Sequence, residues 1–137
     1  MLQCMKSSIK VLYVNDDPED FVIFRYEMSQ VGFHGMDSFV PKESSQEVLE
    51  YLRQKRDHLP DAILVDVRDP MVYGAEILQS IRGSELGQIP VILVSSSIDY
   101  LESLKNQHPV LQADGFLVKP VSSRELSDLL VPFYGCA

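Results

Sequence analysis

Asp66 stands at the C-terminal end of an apolar run, Ala62 to Val65, within the stretch Asp61 to Gly74, DAILVDVRDPMVYG. Three other strand-like runs also end on polar groups. KVLYV leads into Asn15, Asp16 and Asp17, VILV into Ser95, and GFLV into Lys119 and Pro120. Acids, a hydroxyl and a lysine are groups that phosphoryl transfer to a carboxylate can use. Phosphoryl transfer to a carboxylate needs a nucleophilic acid, a divalent cation to screen phosphate charge, and polar or cationic donors for the phosphoryl oxygens. Magnesium keeps several waters, so one or two carboxylates plus substrate oxygens suffice to hold it. Singly, each residue has a plainer reading. Asp66 is then a turn former or helix cap, Asp16 and Asp17 are capping acids, and Ser95 is a capping hydroxyl in the run Ser95-Ser96-Ser97. Lys119 is a solvated charge and Phe116 a core ring. Their joint order, each polar group at a strand's end, argues for a site. His34, His58 and His108 share no metal or catalytic spacing.

The elements that must position these residues follow from hydrophobic periodicity. Lys10 to Val14 is short and β-rich, as expected of a strand covered on both faces. Asp17-Pro18-Glu19-Asp20 opens a helix: Asp17 can cap it, Pro18 suits its first position, and the acids favour the N-terminal dipole. Phe21, Phe24, Arg25 and Met28 share one face of that helix. Met36 to Val40 is a second strand. Ser44-Ser45-Gln46-Glu47 has a capping-box pattern for a helix running towards Arg56, with Val48, Tyr51 and Leu52 inward. Ile77, Leu78 and Ile81 mark a third helix ending near Gly83, and Ser97 to Gln107 a fourth. Ser122 and Glu125 form a second capping box, before a last helix carrying Leu126, Leu129 and Leu130 and stopped by Pro132. Five strands alternating with five helices imply a parallel sheet with helices on both faces, an α/β fold.

Composition narrows the function classes. The chain has 137 residues, the size of one domain, and 45% are hydrophobic, too many for a disordered chain. A formal net charge of −8 argues against nonspecific binding to nucleic acid or anionic membrane, both of which attract cations. Cys4 and Cys136 lie near opposite termini; they are expected as free thiols, with a terminus-to-terminus disulfide as the alternative. The start, MLQCMKSS, lacks the apolar core of a signal peptide, and no run approaches membrane-spanning length. The expectation is a soluble, cytoplasmic protein.

From about Ile9 to Leu130 the order of acid pair, acceptor acid, hydroxyl and lysine resembles the response-regulator receiver domain of two-component signalling. The resemblance implies a flavodoxin-like, doubly wound five-stranded sheet in the order 2-1-3-4-5 with five helices. The whole chain, 1–137, is then a single receiver domain with a core of about 9–130 and a short tail, 131–137. It also implies roles. Asp66 matches the phosphoacceptor, and Arg68 the position whose backbone carbonyl completes the metal site. Ser95 matches the hydroxyl that binds the phosphoryl group. Lys119, followed by Pro120, matches the lysine that pairs with phosphate. Phe116 matches the switch aromatic that moves with Ser95. The acid pair falls on Asn15 and Asp16, with Asp17 left as the helix cap; a one-residue shift would make the pair Asp16 and Asp17.

Three positions depart from the pattern: an amide at Asn15, Asp69 before the proline, and Tyr73 before the glycine. Asp17 and Asp69 are candidate auxiliary acids. The segment from Ser95 to Lys119 is also slightly longer than usual. Mg²⁺ is the implied cofactor, and a histidine kinase or phosphotransfer protein the implied donor. The output is then a protein contact, made by a monomer or weak homodimer, and the chain is not expected to be an enzyme itself. A weaker resemblance, in IPVILVSSS and the single-domain length, is to stand-alone regulators paired with phytochrome-type kinases. Two other readings compete. A degenerate receiver would bind partners without phosphorylation, which Asn15 favours. A flavodoxin-like cofactor protein would want a phosphate-cradling loop after the first strand, where this chain has acids that repel phosphate.

Overall fold

The computed structural model describes residues 10–15, 17–30, 35–41, 46–67, 73–107 and 113–130. Five strands form one parallel sheet: β1 (Lys10–Val14), β2 (Gly35–Phe39), β3 (Ala62–Asp66), β4 (Val91–Ser95) and β5 (Gly115–Val118). Their order is β2-β1-β3-β4-β5. Among the described residues the helices are α1 (Pro18–Gln30), α2 (Gln46–Gln54), α3 (Tyr73–Arg82), α4 (Ile98–Gln107) and α5 (Ser123–Leu130), with a 3₁₀ turn at Arg56–His58. This is the flavodoxin-like, doubly wound arrangement.

The core lies in two layers, one on each face of the sheet, because successive strand side chains point to opposite faces. Leu12, Val14, Ile63, Val65, Val91 and Leu93 pack with buried residues of α2, α3 and α4. Val11, Tyr13, Ala62, Leu64, Ile92, Val94 and Leu117 pack with Phe24 and Met28 of α1 and Leu126 of α5. β1, β3 and β4 are apolar along nearly their whole length because both of their faces are covered. β2 is one of the two edge strands and buries only Met36. On α5's side the sheet is approached closely: a Cβ added at Gly115 would lie 2.9 Å from Leu129 Cδ1.

Local sequence decides where the helices start. Asp17 Oδ1 accepts the Glu19 backbone N–H at 2.9 Å, capping α1 ahead of Pro18. Ser97 Oγ accepts the Tyr100 N–H at 3.1 Å at the start of α4. Ser122 and Glu125 form the expected reciprocal box: the hydroxyl accepts the Glu125 N–H, and Glu125 Oε1 accepts the Ser122 N–H, each at 3.1 Å. Some details differ from the sequence reading. β2 begins and ends one residue earlier than Met36 to Val40. Arg25 is exposed and lies over the Phe21 ring, 5.3 Å from its centroid, so the inward stripe of α1 is Phe24 and Met28 with Phe21 half-buried beside them. α2 stops at Gln54, and Leu49 is buried beside Val48 and Leu52, whereas Tyr51 is half-buried against Phe39. The Ser44-Ser45 capping pattern, Cys4, Cys136, His34, His108 and the tail 131–137 lie outside the described residues.

Candidate functional site

β3 ends on Asp66, on the same face of the sheet as Ala62 and Leu64, so its side chain shares the layer formed with α1 and α5. Lys119 follows β5 and reaches the same place. Its Nζ donates to Asp66 Oδ2 at 2.9 Å and to Asp20 Oδ2, on the first turn of α1, at 2.7 Å. The Lys119–Pro120 peptide is cis. The Asp66 side chain is 3% exposed, against 21% for Asp20 and 16% for Lys119. A carboxylate so withdrawn from water needs a charge partner, and the ammonium provides it. Burial pushes the Lys119 ammonium towards neutrality, but the hydrogen bonds to Asp20 and Asp66 outweigh this and hold its pKa above the ordinary lysine value.

A cavity opens over these groups, about 560 Å³ in volume, between the start of α1 and the ends of β3, β4 and β5. Asp17, Asp20, Asp66, Ser95 and Lys119 all line it. This is the crevice at the carboxyl ends of the strands, beside the topological switch point between β1 and β3. Ser95 is buried, and its Oγ accepts the Ser97 N–H at 3.1 Å. It lies on the opposite face from Asp66, the α4 side, where Phe116 packs half-buried against the core. Ser95 pairs with Val118 in the sheet, and Phe116 with Leu93, so the two residues are diagonal neighbours on one face.

Asn15 is 4% exposed. Its Nδ2 donates to the Tyr13 carbonyl at 3.1 Å, and its Oδ1 accepts the Asp17 N–H at 3.0 Å. The amide therefore shapes the turn between β1 and α1, and Asp17 caps the helix. Asp16, Arg68 and Asp69 lie outside the described residues, as does the turn through Pro70. Among the described residues no group of three or more His, Cys, Asp or Glu side chains could hold a metal ion.

Two residues at the site were not singled out from sequence. From sequence Asp20 reads only as an acid at a helix start. Its signal was helical spacing: Asp20, Phe24 and Met28 are four residues apart, so Asp20 shares the inward stripe. From sequence Tyr13 reads only as part of a strand. It is fully buried, lies 4.6 Å from Phe24 between ring centroids, and its hydroxyl donates to Asp66 Oδ2 at 3.3 Å.

An open crevice in a 2-1-3-4-5 sheet, with an acid, a lysine and a hydroxyl at its strand ends, defines a class. The chain belongs to the response regulator receiver domain family, whose model matches residues 11–131. Receiver domains are phosphoacceptor signalling modules and generally bind Mg²⁺ at their acidic site. The "Probable methanogenesis regulatory protein FilR2" of Methanothrix harundinacea (strain 6Ac) is 30% identical over 122 residues, covering 85% of this chain and 75% of that protein. Among solved structures, the bacteriophytochrome response regulator RtBRR is 27% identical, with a TM-score of 0.66, covering 95% of this chain and 80% of that one. A response regulator receiver protein from Burkholderia phymatum has a TM-score of 0.72 at 24% identity, covering 95% and 98% of the two chains, and shares the fold. The chain spans less than half the length of two curated relatives it matches: 44% of the "Probable transcriptional regulator ycf27" of Guillardia theta and 45% of PhoP of Bacillus subtilis (strain 168). Among the described residues no helix is long and apolar enough to cross a membrane.

Proposed function

We propose that Asp66 accepts a phosphoryl group from the phosphohistidine of a partner kinase or phosphotransfer protein, and that this switches a protein-binding face. The observation carrying the reading is Lys119 Nζ at 2.9 Å from the nearly buried Asp66 Oδ2, within an open crevice at the strand ends. A carboxylate there is an oriented nucleophile, and the ammonium beside it is placed to pair with phosphoryl oxygens. Asp66 lines this crevice, and a hard cation such as Mg²⁺ needs only one or two protein carboxylates because it keeps several waters. Mg²⁺ would be held by Asp66 with Asp16 and the Arg68 carbonyl, and would screen the charge of the transferring group. Lys119 must loosen its hold on Asp20 or Asp66 to follow the phosphoryl group. Ser95, drawn from its turn towards a phosphoryl oxygen, would leave space on the α4 side that the Phe116 ring can fill.

Incubation with acetyl phosphate and Mg²⁺, followed by intact-mass measurement, tests this. One added phosphate is expected, and Asp66→Asn should abolish it; normal labelling of that variant would sink the assignment. A second reading is favoured by Asn15, whose amide is committed to the turn at both ends. In it the chain is a receiver that binds its partner without phosphorylation. Absence of labelling at any Mg²⁺ concentration, with partner binding retained, would select it.

A further inference from the structure

The oxygen of Asp66 that faces Lys119 has a second donor, Tyr13, which the proposed phosphoryl transfer does not use. Tyr13 is 0% exposed, and its ring is fixed against Phe24 at 4.6 Å. Its hydroxyl reaches Asp66 Oδ2 at 3.3 Å from the core side and is not among the groups lining the crevice. Strand geometry imposes this approach. Tyr13 pairs with Leu64 in the parallel ladder, and Asp66 is two residues further along β3 on the same face.

We infer that Tyr13 is a catalytic residue for loss of the phosphoryl group, shortening the lifetime of phosphorylated Asp66; this rests on Asp66 being the acceptor. In hydrolysis a water oxygen bonds to phosphorus while the bond from phosphorus to the Asp66 oxygen breaks. The bonding electron pair returns to Asp66 as a carboxylate, and both water protons leave with inorganic phosphate. The transition state is loose, so the departing oxygen already carries most of the carboxylate charge. A hydrogen bond to an ionised oxygen is about twice as strong as one to a neutral oxygen. Whether Oδ2 is the ester oxygen or the carbonyl oxygen of the acyl phosphate, it is neutral there and becomes charged as the phosphoryl group leaves. The Tyr13 bond therefore tightens on the way to the transition state, which is the condition for acceleration. Lys119 can follow the phosphoryl oxygens, but Tyr13 is locked into the core and stays with the carboxylate.

The test is to label the protein with acetyl phosphate and Mg²⁺, remove the donor, and follow loss of the added mass with time. Because 3.3 Å is long for an O–H···O bond, the expected effect is modest. Tyr13→Phe should lengthen the half-life about fivefold, equivalent to about 1 kcal/mol. Replacing Tyr13 with 3,5-difluorotyrosine, a stronger donor of nearly the same shape, should shorten it, which a purely structural role would not produce. Unchanged decay in Tyr13→Phe at an unchanged melting temperature overturns the inference. If Tyr13→Phe does not fold, decay of the fluorinated protein equal to the parent's overturns it instead. No label on the parent removes the acceptor reading and this inference together, whereas normal labelling with equal lifetimes removes this inference alone.

Discussion

Asn15 stands just after β1, where the proposed reading would place an acid, and its surroundings satisfy an amide. The Nδ2 donates to a backbone carbonyl and the Oδ1 accepts a backbone N–H, so both ends are satisfied within one turn. A carboxylate would keep the acceptor half and set an oxygen against the Tyr13 carbonyl. That should destabilise the metal-free protein by about 1–3 kcal/mol. It would also add a negative charge beside a divalent cation, tightening Mg²⁺ binding by about tenfold, or roughly 1.4 kcal/mol. Asn15→Asp should therefore unfold at lower urea than the parent in EDTA, and gain more stability on adding Mg²⁺, since a ligand of the native state stabilises by mass action. Equal Mg²⁺ gains in the two proteins would mean that position 15 does not feel the cation.

α5 is eight residues long, and among its described side chains Leu126 is fully buried and Leu129 half-buried against the same layer. Ser122 closes the box with Glu125, and Leu126 is fully buried in the layer shared with α1. Ser122→Ala should cost about 1 kcal/mol through loss of the cap. Leu126→Ala should cost about 2–5 kcal/mol through the cavity it leaves. Urea midpoints of the two variants check the ranking, and a cap variant as damaging as the core one would contradict it. These features were legible in the sequence because they are local: a serine three residues before a glutamate, then leucines at helical spacing. β1, β3 and β4 were legible as continuous apolar runs. β2 was less so, because an edge strand burying one side chain leaves little alternation to read, and its bounds came out one residue late. The strand-end residues Asp66, Ser95 and Lys119 stood out once the runs were placed. Tyr13 and Asp20 did not, because their roles come from partners 53 and 99 residues away in the chain. Such partners are set by strand register and helix docking, which no local pattern encodes.

The molecule divides across its sheet. Asp66, Lys119 and Tyr13 face the α1 and α5 layer, whereas Ser95 and Phe116 face the α4 layer. A phosphoryl group on Asp66, as proposed, would reach the second layer through β4 and β5, whose ends carry Ser95 and Lys119. β5 is the edge of the sheet, so it has a ladder partner on one side only and is freer to shift than β3. The Ser95 hydroxyl accepts the Ser97 N–H in the turn that leads into α4. Drawing that hydroxyl away would loosen the start of α4 and open room beside Phe116 at once. The expected outcome is a change spread over α4, β5 and α5, with the β2 edge, across β1 and β3, little altered. Adding beryllofluoride, a phosphoryl mimic, with Mg²⁺ and recording backbone amide NMR spectra checks this. Shifts should run from about residue 95 to residue 130 and fade towards residues 35–39. Ser95→Ala should keep the shifts beside Asp66 and lose those in α4. Shifts confined to the neighbourhood of Asp66 in the parent protein would mean that the two layers are not coupled through Ser95 and Phe116.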